Sequence, residues 1–281
     1  MKLLRYGPPG KEKPGLVDAN GKIRSLHKKI KDLTPEMLAP ASLAKLRKFK
    51  PESLPLVPGK PRLGVPLTGV SKIVAVGLNY SDHAKEAGVA VPPEPVLFMK
   101  AITSLNGPND KVKLPRDSVK GDWEIELGIV IGRKAQYVSE ADALRYVAGF
   151  CIVNDVSERQ FQLEKAGQWT KGKSADTFCP VGPWLVTTDE VKDPQNLKMK
   201  LTVNGETRQN GSTATMIFNV KFLVSYISRF MTLMPGDIIP TGTPPGVGLG
   251  MKPTPVFLKP GDVMELTIDG LGAQRQQVVG P

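Results

Sequence analysis

The stretch from Asp122 to Ile131 alternates apolar side chains with carboxylates and then becomes continuously apolar. This pattern predicts a β-strand. Because successive side chains of a strand point to opposite faces, Glu124 and Glu126 share one face, with their Cα atoms about 6–7 Å apart. Carboxylates this close repel each other unless a cation lies between them, and Mg²⁺ or Ca²⁺ binds such oxygens. The residues alone leave two interpretations, a metal-binding pair and a half-exposed strand whose glutamates are solvated.

Composition restricts the class of protein. The chain has 281 residues, enough for one large domain or for a large and a small one. Its 40% hydrophobic and 23% charged residues are typical of a soluble globular protein. Apolar runs are shorter than a membrane span, the start is too short and polar for a signal peptide, and Cys151 and Cys179 lack metal-type spacing. We therefore expect a cytoplasmic protein without membrane contact, whose cysteines are reduced core thiols.

Positive charge is concentrated at the amino-terminal end. The formal net charge is +11, and residues 1–62 hold 15 Lys and Arg against 5 Asp and Glu. The bulk of the chain is therefore nearly neutral, which excludes a uniformly basic nucleic-acid binder. A basic arm that binds nucleic acid or another anionic polymer stays open as a non-enzymatic alternative.

Prolines at 51, 55, 58, 61 and 66 interrupt regular structure and indicate a linker. We predict a small basic amino-terminal domain with its linker over residues 1–66 and a main domain over residues 67–281. In the first, Asn20-Gly21 predicts a hairpin turn, and Ser42 is the expected N-cap of a helix over 42–49. A second strongly patterned helix is expected after Asn219, with a buried stripe that includes Phe230.

One of only two histidines lies in a candidate site. The buried strand predicted at 73–76 leads to Ser81, the expected N-cap of a short helix that carries His83 and Glu86 on one face. A carboxylate beside an imidazole fixes its tautomer and raises its basicity, which makes a general base for water. The alternative is an ordinary surface ion pair.

A third carboxylate follows another buried strand. Asp155 comes directly after the apolar run 149–153, where it could supply a third oxygen ligand. Its alternative role is to cap a helix predicted from Val156 to about Ala166. A further helix is predicted from about 139 to 147. The glycine-rich stretch 241–248 could turn N–H groups toward an anion, or it could be a simple turn.

Four groups of residues occur together in a recognisable order. They are Gly77-Leu78-Asn79-Tyr80 with His83 and Glu86, then Glu124 with Glu126, then Asn154-Asp155-Val156-Ser157 with Arg159, and finally Pro235-Gly236-Asp237 with Thr241-Gly242-Thr243-Pro244. In order and approximate spacing, from Ile73 to the carboxyl-terminal end, they resemble the fumarylacetoacetate hydrolase family.

The resemblance implies an α+β, mainly β fold, a mixed β-sandwich roll with short flanking helices, assembled as a homodimer or homotetramer. It implies Mg²⁺, with Mn²⁺ or Ca²⁺ as substitutes, bound by Glu124, Glu126 and Asp155. The other implied site residues are a catalytic His83–Glu86 dyad on a mobile lid helix, oxyanion- or water-contacting Gln162 and Lys173, and substrate-contacting Tyr80, Lys100, Arg159 and Thr243.

The resemblance also implies an activity. Members similar to this chain hydrolyse a carbon–carbon bond of 2,4-diketo acids, and the most similar cleave L-2,4-diketo-3-deoxyrhamnonate to pyruvate and L-lactate. Decarboxylation of oxaloacetate or isomerisation of 2-hydroxyhepta-2,4-diene-1,7-dioate on the same metal–enolate platform is the enzymatic alternative. The expected partner is thus a small 2-keto acid.

Overall fold

The computed structural model describes residues 1–88 and 90–281. Its strands, in chain order, are β1 (Lys2–Tyr6), β2 (Lys13–Val17), β3 (Ile23–Ser25), β4 (Leu63–Gly64), β5 (Ile73–Gly77), β6 (Val96–Lys100), β7 (Leu105–Asn106), β8 (Val112–Lys113), β9 (Gly121–Asp122), β10 (Ile125–Ile131), β11 (Val147–Asn154), β12 (Ser157–Glu158), β13 (Cys179–Thr187), β14 (Lys198–Val203), β15 (Glu206–Ser212), β16 (Ile238–Pro240), β17 (Val263–Ile268) and β18 (Gly272–Val279). Its α-helices are α1 (Pro40–Leu46), α2 (Ser81–Ala87), α3 (Arg159–Leu163), α4 (Trp169–Lys173) and α5 (Val220–Phe230).

A large mixed sheet holds the site. Its strand order is β3-β2-β1-β13-β11-β10-β16-β5-β6, with β4 paired to β1 and β7 to β13. The central strands β10 and β11 are antiparallel and buried along their whole length, as expected for continuously apolar strands covered on both faces.

Residues 1–66 extend this sheet. The predicted hairpin at Asn20-Gly21 is confirmed as the turn between β2 and β3, with Gly21 at φ 74°. Strand β1 pairs antiparallel with β13, where Leu3 lies opposite Leu185. Both leucines belong to one buried apolar cluster. The division after residue 66 stays a prediction, and the sheet itself continues across it.

A second sheet, in the order β15-β14-β17-β18-β8, covers the first. Its inward side chains include Leu201 and Leu266, which share a buried apolar cluster with Ile125 and Ile152 of the large sheet. Sheet-on-sheet burial of this kind forms the core of a β-sandwich. The expected mainly β architecture with short flanking helices is therefore confirmed.

Several helix predictions were wrong in their bounds. Helix α1 begins at Pro40, because proline fits the first helical turn, and Ser42 donates to Glu36 O instead of capping. The region 139–147 contains only a 3₁₀ turn, Ala143–Tyr146. Asn219 does cap α5 by accepting from Phe222 N. Phe230, at the end of α5, is 61% exposed and lies outside the buried stripe.

Cys151 and Cys179 are free and fully buried, as predicted. Across residues 1–88 and 90–281, every helix is too short or too polar to span a membrane.

Candidate metal centre

The strand pairing brings the three predicted metal-binding carboxylates together. Ile125 of β10 lies opposite Asn154 of β11, and the next residue, Asp155, donates its N–H to Glu124 O at 2.9 Å. One oxygen of each of Glu124, Glu126 and Asp155 lies within 4.8 Å of the others. Glu124 and Glu126 are only 7% and 1% exposed, so the interpretation as solvated glutamates is wrong. Glu124 directly precedes β10, whereas the sequence pattern placed it inside the strand.

Three buried cations surround these carboxylates. Lys173 Nζ bridges Glu124 Oε2 at 2.7 Å and Asp155 Oδ2 at 2.8 Å. Arg159 pairs with Glu124 at 2.6 Å, and Lys100 pairs with Asp155 at 2.5 Å. Asp155 therefore faces the site and does not cap the following helix. The predicted helix from Val156 was wrong, because β12 intervenes and Glu158 caps α3.

A glycine allows Lys173 to reach the site. A Cβ on the preceding Gly172 would lie 2.4 Å from Glu158 O and 2.5 Å from Gln162 N. Helix α4 can therefore lie directly against the backbone at the start of α3 only because residue 172 has no side chain. This close approach carries Lys173 between Glu124 and Asp155.

The charges of the centre are not balanced. Asp122 also lies here, so four buried carboxylates face the three cations. Burial, followed by repulsion from Asp155 and Glu124, raises the pKa of Glu126 well above its ordinary value. Burial opposes the charge of Lys173, but Asp155 and Glu124 outweigh burial and raise its pKa, so Lys173 stays protonated.

The donor set fits a divalent cation. The converging atoms are carboxylate oxygens, which are the ligands that Mg²⁺, Mn²⁺ and Ca²⁺ prefer. A cation would also ionise Glu126 by offsetting the excess negative charge. Glu124, Glu126 and Asp155 are thus the residues that would hold it.

His83 and Glu86 lie beside this centre on α2. His83 Nδ1 is 3.0 Å from Glu86 Oε2, so the expected dyad contact is present in the structure. Glu86 also accepts from Gly246 N at 3.0 Å, which ties α2 to the glycine-rich loop. The predicted cap was wrong, since Tyr80 occupies the N-cap position and Ser81 donates to Thr215 O at 3.3 Å.

A small inner cavity, about 60 Å³ in volume, joins these groups. Among the predicted site residues, its wall includes His83, Glu124, Glu126, Arg159, Gln162, Lys173 and Thr243.

Two predicted substrate contacts lie outside this wall. Lys100 is buried behind Asp155, and its Nζ also donates to Val156 O at 3.2 Å. Tyr80 is fully buried, and its hydroxyl donates to Met199 Sδ at 3.3 Å. The substrate roles of both remain predictions, and the structure shows them only as supports of the site.

Asp122 and Trp169 are residues of the site that sequence reasoning missed. Asp122 is fully buried and accepts from Arg159 Nε at 2.7 Å, Gly248 N at 2.6 Å and Leu249 N at 3.0 Å. Its position at the start of the carboxylate stretch was the signal that could have identified it. Trp169 lines the inner cavity and packs on Phe98 with ring centroids 5.3 Å apart. A lone tryptophan in a loop-like region gave no comparable signal.

The fold and the centre have the arrangement expected of a metal-dependent enzyme, with buried oxygen ligands beside a paired imidazole. The chain matches the fumarylacetoacetate (FAA) hydrolase C-terminal family over residues 72–279. It therefore belongs to this family, which contains hydrolases and isomerases.

Individual relatives cover nearly the whole chain. A Burkholderia cenocepacia protein with only a provisional hydrolase name is 59% identical over 276 residues, 98% of each chain. The solved fumarylacetoacetate hydrolase of Exiguobacterium antarcticum is 37% identical, with TM-score 0.87 and 100% of both chains covered. The maleylpyruvate hydrolase of Sphingobium sp. SYK-6, solved with manganese(II) and pyruvate, is 30% identical, with TM-score 0.82 and coverage of 100% and 99%.

Proposed function

We propose that this protein hydrolyses the C3–C4 bond of a 2,4-diketo acid, releasing pyruvate and a carboxylic acid. The observation that carries the proposal is the shared cavity, which is lined both by the carboxylates Glu124 and Glu126 and by the imidazole of His83. The solved relative that contains manganese and pyruvate supports this substrate class.

A divalent cation held by Glu124, Glu126 and Asp155 would supply a Lewis acid for the oxygens of a 2-keto acid. A cationic side chain of the protein adds to the effect of the metal ion. Lys173 stays charged, because Asp155 and Glu124 raise its pKa, and it faces the same cavity. It can therefore stabilise negative charge that develops on the substrate, an effect often worth about 3–4 kcal/mol.

His83 is the proposed general base. Since Nδ1 lies against Glu86, the nitrogen left for water is Nε2. Nε2 takes a proton from water while the water oxygen bonds to C4 of the substrate. The C3–C4 bond then breaks, its electron pair moves to C3 and is delocalised onto the C2 oxygen, and a proton returns to C3. The balanced products are pyruvate and the acid formed from C4 onward.

The alternative is decarboxylation or isomerisation. Both pass through the same type of enolate, but neither requires a base that activates water. The His83–Glu86 pair beside the carboxylates favours hydrolysis. L-2,4-diketo-3-deoxyrhamnonate and unhydroxylated acylpyruvates both belong to the proposed substrate class.

The test is product analysis after metal removal. Protein stripped with EDTA is reloaded with Mg²⁺ and offered 2,4-dioxohexanoate, its 5-hydroxy derivative (the deoxyrhamnonate compound) and oxaloacetate. We expect pyruvate and an equal amount of the second acid from a diketo acid, only with metal. We also expect His83→Ala to abolish this turnover while still binding pyruvate. Pyruvate from oxaloacetate alone would establish decarboxylation and contradict the proposal.

A further inference from the structure

A larger outer cavity of about 340 Å³ adjoins the inner cavity. Both are lined by Leu78, His83, Arg159, Gln162 and Trp169. A substrate whose keto-acid end lies at the carboxylates must therefore pass His83 and extend its other end into the outer cavity. This end is the acyl group that begins at C4.

The outer wall is mainly apolar. Its apolar side chains are those of Leu78, Leu163, Trp169, Val247 and Leu249. Leu163 and Leu249 are 45% and 38% exposed, so both leave apolar surface in water at this site. An apolar ligand chain would cover this surface and gain free energy from its burial.

Part of the polar surface of the outer wall is already hydrogen-bonded within the protein. Arg159 bonds to Asp122, Glu124 and Gln162. Glu86 accepts from Gly246 N and pairs with His83. Among the described residues of this wall, Lys252 is the one charged side chain without an ion pair, and it is exposed. A hydroxyl that lies against Leu163 and Leu249 would lose water and find no hydrogen-bond partner in either side chain.

The backbone at Leu78 is held in an unfavourable conformation. Its φ of 53° lies in the left-handed region, which is uncommon for leucine. The neighbouring Asn79 fixes this turn, since its amide donates to Phe218 O at 3.0 Å and Thr241 O at 2.8 Å. Strain that the surroundings maintain at a cavity wall is a common mark of a functional position. In this conformation the Leu78 side chain lines both cavities.

We propose that the outer cavity selects substrates whose acyl group is an unhydroxylated hydrocarbon chain near C4, with Leu163 and Leu249 as specificity-determining residues. The proposal rests on the proposed function, because it assumes that the keto-acid end binds at the carboxylates. It favours acylpyruvates over the deoxyrhamnonate compound, which carries a hydroxyl on C5.

The test measures binding without cleavage. Compounds without a 4-carbonyl cannot undergo the proposed hydrolysis, so calorimetry with 2-oxobutanoate, 2-oxopentanoate, 2-oxohexanoate and 5-hydroxy-2-oxohexanoate reports on the cavity alone. With Mg²⁺ present, we expect about fourfold tighter binding for each added methylene. The 5-hydroxy compound should bind about five- to a hundredfold more weakly than 2-oxohexanoate.

Two exposed leucines supply the variants and a third supplies the control. Leu163→Asn and Leu249→Asn should each reduce the preference for longer chains and the preference for 2-oxohexanoate over its 5-hydroxy derivative. Leu144→Asn, at a 36% exposed leucine outside the cavity, should leave them unchanged. Equal or tighter binding of the hydroxylated compound by the unaltered protein, or preferences that survive both cavity variants, would overturn the proposal.

Binding of the 2-oxo acids and cleavage of the 2,4-dioxo acids together separate the two proposals. If the binding preferences hold but 2,4-dioxohexanoate is not cleaved, the assignment of the outer cavity stands and the hydrolase function fails. If both dioxo acids are cleaved with equal kcat/KM and the binding preferences are absent, the function stands and the cavity assignment fails.

Discussion

Gly77→Ala should force Trp169 out of its place in the cavity wall. A Cβ on Gly77 would lie 2.4 Å from Trp169 Cζ3 and 2.9 Å from Cη2, whereas ordinary contacts begin at 3.4 Å. The indole must therefore retreat by roughly 1 Å, because the added methyl group overpacks the site. It packs on Phe98 at 5.3 Å, so a retreat in that direction disturbs a second ring.

The expected loss of unfolding free energy is about 1–2 kcal/mol. Overpacking of this kind costs about 1–3 kcal/mol. Against it stands the reduced entropy of the unfolded chain, which gives about 0.4–1 kcal/mol when glycine becomes alanine in a compatible conformation. Urea unfolding measures the difference. Gly280→Ala is the control, since its Cβ would meet nothing closer than Pro260 Cγ at 3.9 Å.

A double variant tests the cause. Phenylalanine lacks the outer indole atoms that meet the new Cβ, so Gly77→Ala should cost less in a Trp169→Phe background than alone. The coupling between the two substitutions should be about 1 kcal/mol and favourable in the double variant. Equal costs in both backgrounds, or a stabilised single variant, would refute the packing argument.

Two further substitutions probe charges at different places in the fold. Asp122→Asn should lower the unfolding free energy by about 1–3 kcal/mol, measured in urea, because an amide has one acceptor oxygen for the buried donors of Arg159, Gly248 and Leu249 that the carboxylate now satisfies. A loss as small as that of an exposed pair would contradict this reasoning. Burial would raise the pKa of Asp189, but the hydrogen bond from Arg47 and its other partners lower it to about 2. This half-exposed pair therefore stabilises above the unfolded pKa of about 4, and its contribution disappears as pH falls through 2. Asp189→Asn should cost about 0.2–1 kcal/mol near pH 6 and almost nothing near pH 1, and a pH-independent loss would contradict the assignment.

Local patterns predicted the centre because its residues lie in or directly beside strongly patterned strands. The alternation around Glu124 and Glu126 marks β10, and the apolar run before Asp155 marks β11. Their pairing turns these separate signals into one cluster. The resemblance to a known family identified His83 and Glu86 as a dyad, a role that their three-residue spacing alone left open.

Other parts follow from tertiary contacts that a single sequence does not display. Strand β18 was missed because its inward side chains are partly polar. Gln274 and Gln276 lie in the core, where Gln274 donates to Ile152 O at 2.9 Å and Gln276 accepts from Asn154 at 3.0 Å. Hydrogen bonds thus replace the apolar alternation that would have predicted the strand.

Lys173 shows the same limitation at the site. The sequence around Lys173 has no helical pattern of apolar residues, yet a short helix carries it between two carboxylates. The position of Lys173 depends on the close approach of Gly172 to the backbone at the start of α3. No pattern within residues 167–184 shows this contact, because its other side lies outside that range.

Calorimetric titration of Mn²⁺ into EDTA-stripped protein tests the central claim most directly. The unaltered protein and Glu140→Gln, at an exposed glutamate outside the centre, should bind one ion per chain with the same affinity. Glu126→Gln preserves the shape of the side chain but removes one of the three carboxylates, so its affinity should fall by at least about tenfold. Unchanged Mn²⁺ affinity in Glu126→Gln would contradict the assignment of the buried carboxylates as the metal centre.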